Sequence, residues 1–307
     1  MDLTIGTRGS RLALAQSEWV KTRLEEMFPD IRITLCLVET SGDKDSTSPL
    51  AQIPVLGAFT KELDRGLLQG VFDLAVHSLK DVPCTCPEGI LMGAIPERED
   101  PSDAFCSRTG MPFSAMPKGS VIGTSSPRRQ ALLRLARSDI YVQDMRGNVD
   151  TRLRKLYELK SCDALVLASA GLRRLKLSHH ITECFPPQSW PGAPGQGALA
   201  VAVRSDNWDA LSVVQMLEHP PTRCCTTAER AVLAALGGGC KLPLGVFAQT
   251  NNETIEVYAV LIDQDGKRAI RVQGHGKVGD PVGTGKRVAD KILAEGGSAL
   301  LDELFAE

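Results

Sequence analysis

DLTIGTRGSRLALAQSEWVKTRLEEMFPDIRITLCLV, residues 2–38, passes from strand to helix to strand, and that order decides the fold class. Residues 2–6 are strand-like through Leu3, Thr4 and Ile5. Ser10 then caps a pattern carrying Leu12, Leu14, Ala15, Trp19, Val20, Leu24 and Met27 at helical spacing until Pro29 stops it. From 31 to 38 apolar residues alternate, with Ile31, Ile33, Leu35 and Leu37 on one face, which predicts a half-buried strand. A βαβ start of this kind opens an α/β domain.

Outward from it, the polar stretch from Ser41 to Gly57, SGDKDSTSPLAQIPVLG, has no period and is long for a loop, so a lid is expected there. A helix over 59–70 and strands over 73–76 and 90–95 complete a first α/β unit. The charged, proline-interrupted EREDPSD, Glu97 to Asp103, marks a domain crossing. A second α/β unit follows, with strands over 120–123, 140–145 and 163–168 and helices over 127–137, 148–159 and 169–175. The proline-rich FPPQSWPGAPGQG, Phe185 to Gly197, ends it, and the apolar strand 198–203 is expected to return to the first sheet. After Glu218-His219-Pro220-Pro221 come a helix over 222–236, a glycine run ending in Cys240, alternating segments near 243–249, 255–262 and 267–273, and a terminal helix. That third unit reads as small, mostly antiparallel α+β.

With 307 residues, 43% of them hydrophobic, the chain supports two or three cored domains. A formal net charge of −2 gives no basic field, so nucleic acid is not the expected partner. The 9 cysteines form no regular framework and point to a reducing compartment; Cys84 and Cys86 lack the partners of a zinc site, and none is expected. There is no signal-peptide pattern at the start and no apolar run of bilayer length, so a cytoplasmic protein without membrane contact is expected.

Arginines and lysines recur where a strand hands over to a helix: Thr7-Arg8-Gly9-Ser10, Phe59-Thr60-Lys61, HSLKDVP from His77, GTSSPRRQ from Gly123 and MRGNVDTR from Met145. Helix N-termini favour anions, and an arginine fork adds bidentate bonds to a carboxylate or phosphate. Ser126-Pro127 is a cap followed by proline at the first helical position, but Arg128-Arg129 after it oppose the helix dipole and call for a compensating anion. Solvated arginines on an exposed first turn are the bland alternative, and Arg152 taken alone could pair with Asp150 or Glu158. Asp81 is the acid among these cations, at a turn after a strand where side chains emerge at the sheet's carboxyl edge. As an isolated Lys80-Asp81 pair it would be a turn cap, and His77 would be a core histidine bonded to backbone. Cys240, in LGGGCKLPLG from Leu236, has glycines that permit close approach of a bulky group and Lys241 beside it; the spacing alone favours a buried thiol at a helix end.

TRGSRLAL (7–14), FTKEL (59–63), AVHSLKDVP (75–83), EDPSDAF (99–105), GTSSPRRQ (123–130), RGNVDTRL (146–153), AGLRRL (170–175), GQGA (195–198), TAER (227–230) and GGGCKLPLG (237–245) run in order over nearly the whole chain. In these motifs the sequence resembles the porphobilinogen deaminase (hydroxymethylbilane synthase) family. The resemblance implies an α/β protein of two periplasmic-binding-protein-like lobes plus a small α+β third domain: 1–98 with 197–217, 99–196, and 218–307. It implies a dipyrromethane cofactor tied by a thioether to Cys240, on which four porphobilinogens are condensed head to tail with loss of ammonia before hydroxymethylbilane is hydrolysed off. Asp81 matches the catalytic aspartate. Ser78, Lys80, Asp81, Thr124, Ser126, Arg128, Arg129 and Arg152 match cofactor contacts; Arg8, Ser10, Lys61, Arg146, Arg152, Arg174 and Gln196 match substrate contacts. A monomer is expected. Leu56 stands where the family usually has a lysine, which removes one lid-side anion contact.

The residue chemistry agrees. Porphobilinogen bears an acetate and a propionate, so each added ring brings carboxylates that need arginines. Its aminomethyl group leaves already protonated, and the cation then left on the pyrrole needs a fixed carboxylate such as Asp81. A non-catalytic two-lobed anion-binding protein would share the lobes and the cationic junctions, but it predicts a secretory signal and no covalent adduct. A nucleotide enzyme would want a P-loop or GxGxxG after a strand, and neither is present.

Overall fold

The computed structural model describes residues 1–40, 60–239 and 242–306. The expected lid with Leu56, and Cys240 with Lys241, lie outside the described residues. The chain divides into one compact unit of Met1–Glu99 with Gly197–Arg223 and another of Asp100–Gln196 with Cys224–Glu307.

The first unit opens with β1 (Asp2–Arg8), α1 (Arg11–Met27) and β2 (Arg32–Val38), β2 lying parallel to β1. The Ser10 hydroxyl accepts from Ala13 N at 3.3 Å and fixes the start of α1, whose Val20 and Leu24 pack with Leu3, Ile5 and Ile33. Then come α2 (Lys61–Leu68), β3 (Leu74–Ser78) parallel to β1, a 3-10 turn over Leu79–Asp81, and β4 (Ile90–Ala94). Leu63 and Leu67 of α2 pack with Phe72, Ala75, Cys36 and Val38 in a separate cluster, so both faces of the sheet carry an apolar layer. This corrects the reading of β2. Its alternation fades along the strand until Leu37 is 65% exposed, because β2 is the edge strand and cover runs out toward its carboxyl end.

After the crossing, β5 (Asp103–Ser107) is followed by β6 (Val121–Gly123), α3 (Pro127–Ala136), β7 (Tyr141–Gln143), α4 (Val149–Tyr157), β8 (Ala164–Ala168), α5 (Ser169–Arg174) and β9 (Glu183–Phe185). The chain then returns as β10 (Leu199–Arg204), as expected, and inserts antiparallel between β3 and β4; α6 (Trp208–Val214) follows.

The strand orders, β2-β1-β3-β10-β4 and β7-β6-β8-β5-β9, follow one plan. In each five-stranded sheet the fourth strand is the one that has just crossed from elsewhere, and it runs antiparallel to both neighbours. Its first residue therefore lies at the carboxyl end of a parallel strand: Leu199 opposite Ser78, and Asp103 opposite Ala168.

The remainder is α7 (Pro220–Ala235), an antiparallel sheet β11 (Leu244–Asn251), β12 (Thr254–Ile262) and β13 (Ala269–Lys277), then α8 (Pro281–Ile292) and α9 (Ser298–Ala306). Along β12 the alternation serves two cores: Val257, Ala259 and Leu261 pack with Val232 and Val288, while Val260 and Ile262 pack with Phe105, Ile122, Phe185 and Trp190. That second layer explains why this segment falls in one compact unit with Asp100–Gln196 although its sheet is separate.

Candidate active site

In the first unit, the carboxyl ends of β1 and β3 deliver Arg8, Ser78 and, through the 3-10 turn, Lys80 and Asp81. Two bonds from α1 hold this edge in place: Gln16 Nε2 donates to Ser78 Oγ at 2.8 Å, and Ser17 Oγ donates to Thr7 Oγ1 at 2.8 Å. Gln16 is buried, a polar residue on the apolar face of α1 that the motif reading passed over. Arg8, Gln16, Thr60, His77, Ser78 and Asp81 line one pocket. Asp81 is exposed, and its carboxylate makes no ion pair or hydrogen bond among the described residues, so it is not the partner of Lys80. His77 is 5% exposed, and its Nε2 has no hydrogen-bond partner, unlike the backbone-bonded core histidine the sequence allows. Burial first, and then the Arg8 guanidinium, push its pKa down to about 4. Ser10 serves as the α1 cap, and Lys61 is the exposed first residue of α2.

In the second unit, β6 ends at Gly123 and hands over through Thr124 to α3. Thr124 Oγ1 accepts from Ser126 N at 3.3 Å, and Ser126 Oγ caps α3 by accepting from Arg129 N at 3.5 Å. Arg128 and Arg129 are not solvated: they are 4% and 5% exposed. Their anion inside the chain is Asp103, itself 0% exposed, at the first position of β5. Arg128 Nη1 donates to Asp103 Oδ2 at 2.7 Å; Arg129 donates to Oδ1 through Nη2 at 2.7 Å and Nε at 2.9 Å. Trp190 Nε1 at 3.1 Å and Gln196 Nε2 at 2.9 Å complete the shell, and Arg129 Nη2 also donates to Gln196 Oε1 at 3.3 Å. Burial alone would raise the Asp103 carboxyl, but the two guanidiniums outweigh it and hold the group far below the usual carboxylate range. Neither Asp103 nor Trp190 stood out in the sequence reading; the one usable signal was an acid in EDPSDAF next to a wholly apolar strand.

Further along the same edge, Gly147 takes φ +115, and its carbonyl accepts from Arg152 Nε at 2.7 Å in place of a pairing with Asp150 or Glu158. Burial first, then the charge of Arg129, offset in part by Asp144, and last that of Arg146 lower the Arg152 pKa to about 10. Arg146 keeps a buried Nη1 with no hydrogen-bond partner, as does Nε of Arg128. Arg174 is half-buried at the end of α5. This edge thus carries more cationic charge than Asp103 balances, with guanidinium N–H groups left over for an anion. Toward Cys240, α7 ends at Ala235, and Gly237 takes φ +65, the left-handed position that closes many helices.

The family model described as porphobilinogen deaminase, dipyromethane cofactor binding domain, matches residues 3–212, and that described as porphobilinogen deaminase, C-terminal domain, matches residues 223–294. The porphobilinogen deaminase of Desulfitobacterium hafniense is 43% identical over 300 residues, covering 98% of this chain and 96% of that protein. That of Geobacter sulfurreducens is 42% identical over 303 residues, covering 99% and 95%. Among solved structures, the methionine binding protein MetQ is a distant likeness, 9% identical with a TM-score of 0.43, covering 70% of this chain and 89% of that one. With two family models spanning most of its length and close relatives along all of it, this chain belongs to the porphobilinogen deaminase family.

Proposed function

We propose that arginines beside Asp103 hold carboxylates of the cofactor and growing chain, and that Asp81 stabilises charge on the reacting pyrrole. The reaction is the condensation of four porphobilinogens head to tail on a dipyrromethane, with release of ammonia at each addition and of hydroxymethylbilane at the end. The observation that carries the division of roles is the free Asp81 carboxylate beside Arg8 and Ser78, set against the fully bonded Asp103 carboxylate beside Arg128 and Arg129.

The second unit fits a dipyrromethane on its own chemistry. Two carboxylates per ring match guanidinium N–H groups that lack partners on Arg128 and Arg146, and the Arg152 pKa, lowered first by burial and then by the Arg129 charge, marks a sheltered cationic position that an anion would relieve. When bound, the group supplies the pyrrole carbon on which the chain starts, with Cys240 as its attachment. Arg128, Arg129 and Arg152, with Thr124 and Ser126, hold its carboxylates; Ser78 and Lys80 are further contacts to it. Arg8, Ser10, Lys61, Arg146, Arg174 and Gln196 receive the carboxylates of incoming porphobilinogen. Asp81 accepts from the pyrrole N–H and faces the cation formed when ammonia leaves, a preorganised contribution of about 3–4 kcal/mol.

This reading carries a monomer in the cytoplasm without nucleic acid, and it divides the chain functionally at 98/99, 196/197 and 217/218. The described cysteines are free thiols, in keeping with a reducing compartment, and no helix among the described residues is long and apolar enough to cross a membrane. The test is an intact-protein mass spectrum followed by peptide mapping. The expected result is a covalent adduct of two pyrrole units on Cys240; active protein with Cys240 unmodified, or with the adduct on Cys224 or Cys225, overturns the assignment.

A further inference from the structure

The pocket beside Asp81 contains two buried polar atoms that nothing in the chain satisfies. His77 Nε2 and Thr60 Oγ1 both lack a hydrogen-bond partner, their residues are 5% and 2% exposed, and both line the pocket shared by Arg8, Gln16, Ser78 and Asp81. An unpaired buried polar atom is destabilising, so two in one pocket call for a shared occupant. The pocket offers about 30 Å³, against the roughly 10–15 Å³ that one water needs together with two to four polar partners.

We propose that Thr60 and His77 hold a water molecule beside Asp81, and that this is the water consumed when the finished product leaves. The inference rests on the function proposed above. Release breaks the bond between the methylene of the first-added ring and the ring it was joined to. The bonding pair stays on the latter carbon, which takes a proton, and the methylene is left as a cation next to Asp81. A lone pair of the held water forms the new C–O bond, and the O–H bond breaks with its proton passing to His77 Nε2. One proton is taken up and one is given out, and no oxidant is needed.

His77 suits this step. Burial and the Arg8 charge keep the ring neutral, so a lone pair is open at working pH. A weak base suffices, because water that has added to a cation is a strong acid. Thr60, preceding the first residue of α2, makes no capping bond with its hydroxyl, which lies near the Asp64 carboxyl without meeting hydrogen-bond geometry, and can orient the water.

The experiment is single-turnover mass spectrometry of the holoenzyme given porphobilinogen, for wild type, His77→Phe, His77→Gln and Thr60→Val, with thermal midpoints beside it. In His77→Phe, species carrying one to four added rings should form at the wild-type rate while the four-ring species decays about 10²-fold more slowly, the lower end for a lost proton acceptor. Thr60→Val should show the same delay, severalfold. His77→Gln, which can still hold the water but not take its proton, should fall between. High-resolution crystals should show a water within hydrogen-bond reach of both atoms in wild type and His77→Gln, and not in His77→Phe. Release at the wild-type rate in both His77→Phe and Thr60→Val overturns the proposal, as does ring addition slowed in step with release. A wild type that adds no rings at all would instead remove the function itself.

Discussion

Two aspartates, each beside arginines at the carboxyl edge of a similar sheet, meet opposite fates in the two units. Asp103 is fully buried and takes hydrogen bonds from Arg128, Arg129, Trp190 and Gln196; Asp81 is exposed and makes none among the described residues. The difference follows from where each sits on its strand. Asp103 is the first residue of the crossing strand β5, inside the sheet, where a charge must be neutralised. Asp81 lies in a turn beyond β3, where water can solvate it until a substrate arrives. A fully bonded carboxylate fixes the arginines in place; an unbonded one is available to a cation that exists only during the reaction.

Exchanging carboxylate for amide at each position tests the contrast, and the largest effect should come from Asp103→Asn. Removing one partner of this buried network leaves two guanidiniums uncompensated and should cost about 3–5 kcal/mol in denaturant unfolding. A loss below 1 kcal/mol would mean that the arginines find another anion. Because Asp103 is held far below the usual carboxylate range, its contribution is present above the unfolded pKa and disappears only in strong acid, as pH falls through the folded value. Asp81→Asn should instead leave unfolding within about 0.5 kcal/mol of wild type and keep the covalent adduct, while turnover falls roughly 10²-fold or more. Near-normal kcat with a raised KM would make Asp81 a binding residue and dissolve the contrast.

A smaller effect sharpens the comparison through His77, which shares the Asp81 pocket. Its pKa of about 4 lies below the ordinary 6.5, so the unfolded chain takes up the proton first. Stability from this residue is complete above pH 6.5 and is lost as pH falls from there through 4, up to ~3 kcal/mol in all. The stability of wild type minus that of His77→Gln should therefore be flat above neutrality and decline toward pH 4; a flat difference throughout would show that His77 is not buried neutral. The smallest effect belongs to Lys61, an exposed cation. Lys61→Gln should raise KM only severalfold, about 0–1 kcal/mol, and the change should shrink with added salt. Insensitivity to salt would argue for a contact as sheltered as that of Arg129.

The sequence by itself determined what neighbouring residues decide. The helical period after Ser10, the proline stop at Pro29, the crossing at EREDPSD, the returning strand after Gly197 and the cationic strand-to-helix junctions are all local signals, because caps and periodicity act over a few residues. Only the tertiary structure decided the rest. Strand β5 carries no alternation, since a strand inside a covered sheet has two apolar faces, and β9, three residues at the sheet edge, is too short to show one. That Arg128 and Arg129 face an internal carboxylate depends on β5 entering beside β8, which brings Asp103 to a glutamine 93 residues away. The missing partners of His77 Nε2 and Thr60 Oγ1 are likewise a property of the pocket and not of either motif. Residue types and spacing announce a demand for an anion or a hydrogen bond; strand order decides whether the chain meets that demand itself or leaves it to a ligand.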